Sequence, residues 1–272
     1  MKLRIAVVQF GTKPFATDDN LRRAEQFIEE GALAGTQLIV FPEDFLTGPI
    51  SDRLDLADHE GRFKGFFQYF TKKYAVDLVA GSVIEREGDR FFNTSYYIDS
   101  NGETLARYRK INLWLSEKAW CTPGKDVVVT PTRWGMLGLA ICWDLAFPEV
   151  FRQMFRQGVE IIICPSLWCY EDAGSGIQYN PKSEEVFVNS LCAARAFENE
   201  AIVLFCNVAG SFESTKGSRK SIGSSQISIP FMGPTAILRH NREEMLIHEV
   251  DTDILKEAED AYQIRQDLIR KK

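Results

Sequence analysis

An α/β fold with two sheets, each covered by helices, is the fold class that the sequence predicts, and three observations predict it. Short β-rich runs alternate with stretches of helical period, separated by connections rich in Gly, Pro, Asn and Asp. The middle of the chain carries a hairpin signal, so the pairing is mixed. The 272 residues, 45% of them hydrophobic and 26% charged, supply a large core without disulfide staples. Nothing resembles an interdomain linker, an internal repeat or a low-complexity tract, so residues 1–272 read as one domain.

The elements follow in order. Leu3 to Phe10 is a strand: its apolar stretch is interrupted by Gln9 and stops at Gly11 and Lys13, too short for a signal-peptide core. Thr17 and Asp18 are good caps for a helix in which Leu21, Ala24, Phe27 and Ile28 recur at helical spacing until Gly31 or Gly35. Leu38 to Phe41 returns as a strand, stopped by Pro42. Phe63, Phe66, Phe67, Phe70 and Tyr74 share a face of a second helix, and Leu78 to Glu85 follows as a strand. This βαβ-like order makes part of the sheet parallel. Phe91 to Asp99 and Thr104 to Arg109 flank Asn101-Gly102, the hairpin turn. Leu137 to Cys142 is a buried strand, Phe147 to Gln157 a helix ended by Gly158, and Ile161 to Cys164 a strand. Glu184 to Asn199 is a long helix and Ala201 to Asn207 another strand, while the Gly/Ser-rich stretch from Gly210 to Ser225 joins two strand-like runs.

Composition excludes several functions. With 32 basic and 38 acidic residues, a net charge of −6 and no long run of one sign, the chain lacks a general surface for nucleic acid or an anionic membrane. No window approaches the roughly 18 apolar residues of a membrane helix, so a soluble, cytoplasmic protein is expected. The six cysteines are scattered and read as free thiols in a reducing compartment. Three histidines are too few for most metal sites, and only Cys164 and Cys169 come near ligand spacing, so no metal is expected. G-x-S-x-G, G-x-x-x-x-G-K-[ST] and G-x-G-x-x-G patterns are missing, which removes serine-hydrolase, phosphate-cradling and dinucleotide readings.

Cysteine chemistry remains. Cys142 closes an apolar strand just ahead of a helix, where backbone donors stabilise a thiolate and a substrate oxyanion; as a residue alone it also fits a small buried filler. Without a suitable His, a carboxylate with a raised pKa serves as base. Glu43 follows the strand that Pro42 stops, and Asp44 beside it is the competing choice. Lys110 closely follows the Thr104 to Arg109 strand and reads either as an oxyanion donor beside a thiolate or as a surface lysine next to Arg107 and Arg109.

FPEDFLTG around Glu43, YRKINLW around Lys110 and GLAICWDLAFPEVFR around Cys142 resemble, in that order and spacing, the three signature regions of the nitrilase superfamily of carbon-nitrogen hydrolases. The resemblance covers nearly the whole chain: AGSVIEREGDRFFNTSYYIDSNGE is similar to the family's paired strands ahead of the lysine, and RAFENEAIVLFCNVAG to its late helix and strand. It implies a four-layer α-β-β-α sandwich whose subunits pair across a helical face into a homodimer or larger homo-oligomer. It also implies that Glu43 is the general base, Cys142 the nucleophile and Lys110 the group that stabilises the tetrahedral intermediate. Glu117, ahead of Pro123-Gly124, matches a second family glutamate that positions the lysine and substrate, and the Trp143 N–H completes the oxyanion hole. No metal or organic cofactor is implied.

Cys142-Trp143-Asp144 with Phe147-Pro148-Glu149 is similar to amidase and carbamoyl-amide branches, including N-carbamoylputrescine amidohydrolases, more than to nitrilases, where Glu usually follows the Trp. The expectation is a cysteine-dependent amidase of omega-amidase or N-carbamoyl-amide type, acting on a small amide or carbamoyl substrate through a thioester. A nitrilase acting on a nitrile is the alternative in the same fold, and a catalytically silent binding protein the alternative of another class. Trp168, Tyr170 and the polar insert from Glu171 to Pro181 are the candidates for substrate selection. Phe231 and Met232 depart from the family's usual acidic-Gly turn, and Asn93-Thr94-Ser95 is a glycosylation sequon in form that reads as strand.

Overall fold

Alternation along the first strand already divides the molecule into layers. A computed structural model describes residues 1–214 and 217–270. Strand β1 (Lys2–Gln9) leads through helix α1 (Thr17–Leu33) to β2 (Leu38–Val40), and through α2 (Arg62–Tyr74) to β3 (Asp77–Val79). Next come β4 (Val83–Glu87), β5 (Arg90–Ile98), β6 (Thr104–Arg109), β7 (Val128–Thr132) and β8 (Gly135–Leu139). A second alternation follows: α3 (Pro148–Arg156), β9 (Ile161–Ser166), α4 (Ser183–Glu198) and β10 (Ile202–Asn207). The chain continues with β11 (Ser211–Ser214), β12 (Gly217–Lys220), β13 (Gln226–Ile229), β14 (Gly233–Ile237), β15 (Glu244–Asp251), α5 (Ile254–Tyr262) and α6 (Ile264–Arg270).

Each large sheet is built on three parallel strands. In the first, β1, β2 and β3 run parallel, β15 flanks β1 antiparallel, and β5 joins β3 to β4 and β6. In the second, β8, β9 and β10 run parallel, with antiparallel β7 on one side and β13 and β14 on the other. Leu3, Ile5 and Val7 of β1 belong to one buried cluster with the second sheet and with α3 and α4. Ala6, Val8 and Phe10 belong to another, with the apolar faces of α1 and α2. The period of two along a strand thus gives the layers α, β, β, α. Full burial of such side chains contributes about 1.5–3 kcal/mol each. Among the described residues no helix is long and apolar enough to cross a membrane.

Four expectations are corrected, and of the two glycines offered as the end of α1 the structure takes the second. Thr17 and Asp18 lie inside the first turn of α1 instead of capping it, where Asp18 and Asp19 favour the positive end of the helix. Gly31 is packed within α1 against Ile39, and it is Gly35, with φ 74°, that turns the chain out. The expected strand from Leu78 to Glu85 is two strands, β3 and β4, laid along the same edge of β5. Between them Gly81 has φ 62° and passes so near Pro42 that a Cβ would sit 2.0 Å from its carbonyl oxygen. The strand expected to reach Cys142 ends at Leu139, and the Gly/Ser-rich connection contains the β11–β12 hairpin.

Candidate active site

The carboxyl ends of parallel strands from the two sheets meet, and the chemistry-bearing residues lie just beyond them. Pro42 ends the β2 segment, and Glu43 crosses to the other sheet: its N–H donates to the Ser166 carbonyl at 3.3 Å. Its Oε2 accepts from the Leu167 N–H at 2.8 Å, so β9 fixes the carboxylate. Lys110 is the first residue after β6, pinned by its N–H to Asn93 O at 2.9 Å and by Gly124 N–H to its own carbonyl at 2.8 Å. Gly124 is required there, because a Cβ would lie 2.1 Å from Arg109 O.

Lys110 Nζ stands 2.8 Å from Glu43 Oε1 and 2.8 Å from Glu117 Oε2, with only 2% of the lysine side chain exposed. Two carboxylates occupy two of its three N–H donors, leaving the third for a ligand. The charge of both acids holds the ammonium well above the ordinary lysine range although burial opposes it most strongly. Asn93 Nδ2 bridges the same acids, 2.9 Å from Glu43 Oε1 and 3.1 Å from Glu117 Oε1. The sequon is thus a buried strand segment aimed into the site. Its signal in the sequence was three consecutive polar residues, Asn93, Thr94 and Ser95, inside an otherwise aromatic strand.

Cys142 opens a five-residue 3-10 turn, Cys142–Ala146, at φ 45°, a left-handed conformation that is costly for a residue with a Cβ. Asp144, fully buried, holds that turn. Its Oδ2 accepts from Ile141 N–H at 3.0 Å and Tyr108 O–H at 2.7 Å, and its Oδ1 from Asn112 N–H at 2.8 Å and Asn112 Nδ2 at 2.9 Å. One carboxylate therefore ties the cysteine turn to both sides of Lys110, a role that sequence reasoning missed. The Trp143 N–H, at the second position of the turn, has no hydrogen-bond acceptor among the described residues.

Burial raises the Cys142 thiol well above its ordinary value and the Glu43 charge raises it further, while Lys110 opposes both; the Sγ lies 3.7 Å from the Leu167 carbonyl, to which it donates. Burial likewise raises Glu43, against the pull of Lys110. Both shifts disfavour the charged forms, so the thiol resists ionising on its own and the Glu43 carboxylate gains basicity, which suits the pair to proton transfer. Asp44, the competing base, does not pair with Lys110. It turns away at φ 49° and is raised well above its ordinary value by burial, with Glu43 and Glu117 adding to the effect.

A cavity of about 160 Å³ opens onto Glu43, Lys110, Glu117, Cys142, Trp143 and Trp168. A family model described as carbon-nitrogen hydrolase matches residues 4–260. The chain belongs to this family. The 2-oxoglutaramate amidase of Bacillus subtilis is 30% identical over 215 residues, 78% of each chain. The nitrilase of Pyrococcus abyssi is 27% identical across 97% of this chain and 100% of its own. The crystal structure of Saccharomyces cerevisiae Nit3, of branch 10 of the nitrilase superfamily, superposes with a TM-score of 0.82 at 25% identity, covering 96% of this chain and 94% of that one.

In this carbon-nitrogen hydrolase Trp168 lines the cavity wall, with its indole N–H on Glu184 and its ring 5.7 Å from that of Trp143. Tyr170, expected beside it, does not line the cavity; its hydroxyl is drawn away to Glu185. The outer wall carries Arg219, from the β11–β12 hairpin, bonded to Asp172. Asp172 falls in the insert that the sequence singled out, whereas Arg219 was passed over because the hairpin lies inside a Gly/Ser-rich stretch. Among the described residues no three His, Cys, Asp or Glu side chains group to hold a metal ion.

Because Asp44 is raised from 3.8 on folding, its contribution to stability is complete below that value and is lost as pH rises through the folded pKa. Asp44→Asn removes the loss. Its melting temperature relative to wild type is expected to climb as pH rises above 3.8 and to level off above the folded pKa, and a difference that stays flat or falls contradicts the assigned shift.

Proposed function

We propose that this chain is a cysteine-dependent amidase in which Cys142 is the nucleophile, Glu43 the general base and Lys110 the oxyanion donor. The observation that carries the reading is the buried Lys110 ammonium 2.8 Å from Glu43, with Cys142 on the wall of the same cavity. Glu43 takes the thiol proton as Sγ attacks the amide carbon. The third Lys110 N–H and the Trp143 N–H stabilise the oxyanion. Glu43 returns the proton to the nitrogen, the C–N bond breaks, and ammonia leaves a thioester on Cys142. Water then gives a proton to Glu43 while adding to the thioester, and collapse breaks the C–S bond with the proton returned to sulfur. Glu117, 2.8 Å from Lys110 and bonded to Trp114 N–H at 2.6 Å, orients the ammonium.

The relatives' names, among them 2-oxoglutaramate amidase and omega-amidase, support the omega-amidase type; the N-carbamoyl-amide type rests on the sequence resemblance alone, and the cavity suits a small molecule. The similarity to the Pyrococcus abyssi nitrilase over its whole length favours nitrile hydrolysis as a second reading. Both readings require a reduced Cys142, and the six free cysteines are consistent with a reducing compartment such as the cytoplasm. Residues 1–272 form one catalytic unit in this proposal. Self-association is supported by the surface rings of Phe197, Phe231 and Tyr262, which meet at centroid distances of 4.9 and 5.1 Å. Light scattering tests it: a dimer or larger species is expected, and a monomer contradicts it.

Ammonia release from parallel panels of amides and nitriles decides between the two chemistries, with amides expected to turn over. Cys142→Ala is expected to abolish turnover, and Glu43→Gln to lower kcat by about 10²–10⁴. Full turnover by Cys142→Ala refutes the mechanism.

A further inference from the structure

The charged groups lining the cavity are unequal in number and in partners. Among the described residues they are four acids, Glu43, Asp44, Glu117 and Asp172, and two cations, Lys110 and Arg219. Each cation is already engaged: Lys110 lies 2.8 Å from each of two glutamates, and Arg219 bonds Asp172 with Glu171 3.6 Å from its Nε. A carboxylate on the far end of a substrate would meet these acids and could reach a cation only in competition with them.

Asp44 is the opposite case. Only 8% of it is exposed, and its Oδ1 has no hydrogen-bond partner among the described residues. Its backbone is fully committed: the N–H donates to Ser82 O at 3.1 Å, and its carbonyl accepts from Thr47 N–H at 3.3 Å and Gly48 N–H at 2.7 Å. A buried acid that serves the fold has donors, as Asp144 has four. Asp44 lines the cavity without them, in a turn braced against the close approach of Gly81 to Pro42. The cavity wall also includes Trp114 and Trp120, whose ring faces attract a cation.

We infer that the cavity selects amides whose far end carries a primary amine, and that Asp44 is the residue that receives the ammonium group. The inference rests on the amidase reading for its reacting end; at the far end it departs from 2-oxoglutaramate, named for the Bacillus subtilis relative, which carries a carboxylate where an amine is inferred here. The groups acting on Asp44 are Glu43 and Glu117, which disfavour a further negative charge, and Lys110, which favours it. Burial, the largest effect, raises the acid in the same direction as the two glutamates. An ammonium bound beside Asp44 favours its carboxylate, so a proton held there is released to solvent as positive charge enters the cavity.

The test is calorimetric and needs no turnover. The Cys142→Ala protein is titrated with 4-aminobutanamide, with butanamide and with succinamate, which match in chain length and differ at the far end. 4-Aminobutanamide is expected to bind about tenfold or more tighter than either. Titrations in two buffers of different ionisation heat are expected to register proton release. In Cys142→Ala/Asp44→Asn the advantage of the amine over butanamide is expected to collapse towards one. Succinamate binding as tightly as the amine, no binding of the amine, or an unchanged advantage in the Asp44→Asn background each overturns the inference; the first two use no Asp44 variant and are independent of its folding. Preserved amine selectivity with no ammonia from the wild-type protein would instead refute the amidase reading alone.

Discussion

A single buried ammonium organises this molecule. Lys110 is withdrawn from water at a cost of several kcal/mol, and Glu43 and Glu117 at 2.8 Å make that burial tolerable. Neither glutamate is free to move, because Asn93 bridges both, Leu167 holds Glu43 and Trp114 holds Glu117. The cluster is therefore a fixed frame of charge in a low-dielectric setting, the condition under which aimed dipoles act most strongly on a developing oxyanion. Removal of either acid would leave an uncompensated buried cation, and about 3–5 kcal/mol is the usual scale of that loss.

The double-sheet architecture is what assembles the frame. Lys110 and Glu43 come from the sheet of β1 to β6 and β15, whereas Cys142 and Leu167 come from the sheet of β7 to β10, β13 and β14. Asp144 stitches the sheets at the cysteine turn through Tyr108 and Asn112, and Glu43 stitches them again through Ser166 and Leu167. Left-handed backbone at Asp44 and Cys142 is affordable only because these bonds overdetermine both turns. Packing, not local propensity, supplies the strain that aims the two side chains.

That division explains what could be read in advance. The aromatic stripe of α2 and the parallel units were legible because periodicity is local, and Glu43, Lys110 and Cys142 were legible as ordered motifs. The roles of Asn93 and Asp144 were not, since their bonds span 50 and 32 to 36 residues: the polar run at Asn93 and the Cys-Trp-Asp motif mark the positions but not the partners. The break at Gly81 depends on the approach of Pro42, and β15 is half-exposed and pairs with β1 from the opposite end of the chain, so neither leaves a strong local pattern. Asp44 was read as a rival base because sequence gives adjacency but not partners; among the described residues it is Glu43, not Asp44, that pairs with Lys110.

Intact-protein mass spectrometry during turnover tests the central claim most directly, that Lys110, Glu43 and Cys142 act as one acylating unit. With acid quenching of an amide reaction, a mass increment equal to the acyl group is expected on the peptide bearing Cys142, and none on the Cys142→Ala protein. Ammonia release with no acyl adduct on Cys142 under rapid quench, or an adduct on another residue, would contradict the account.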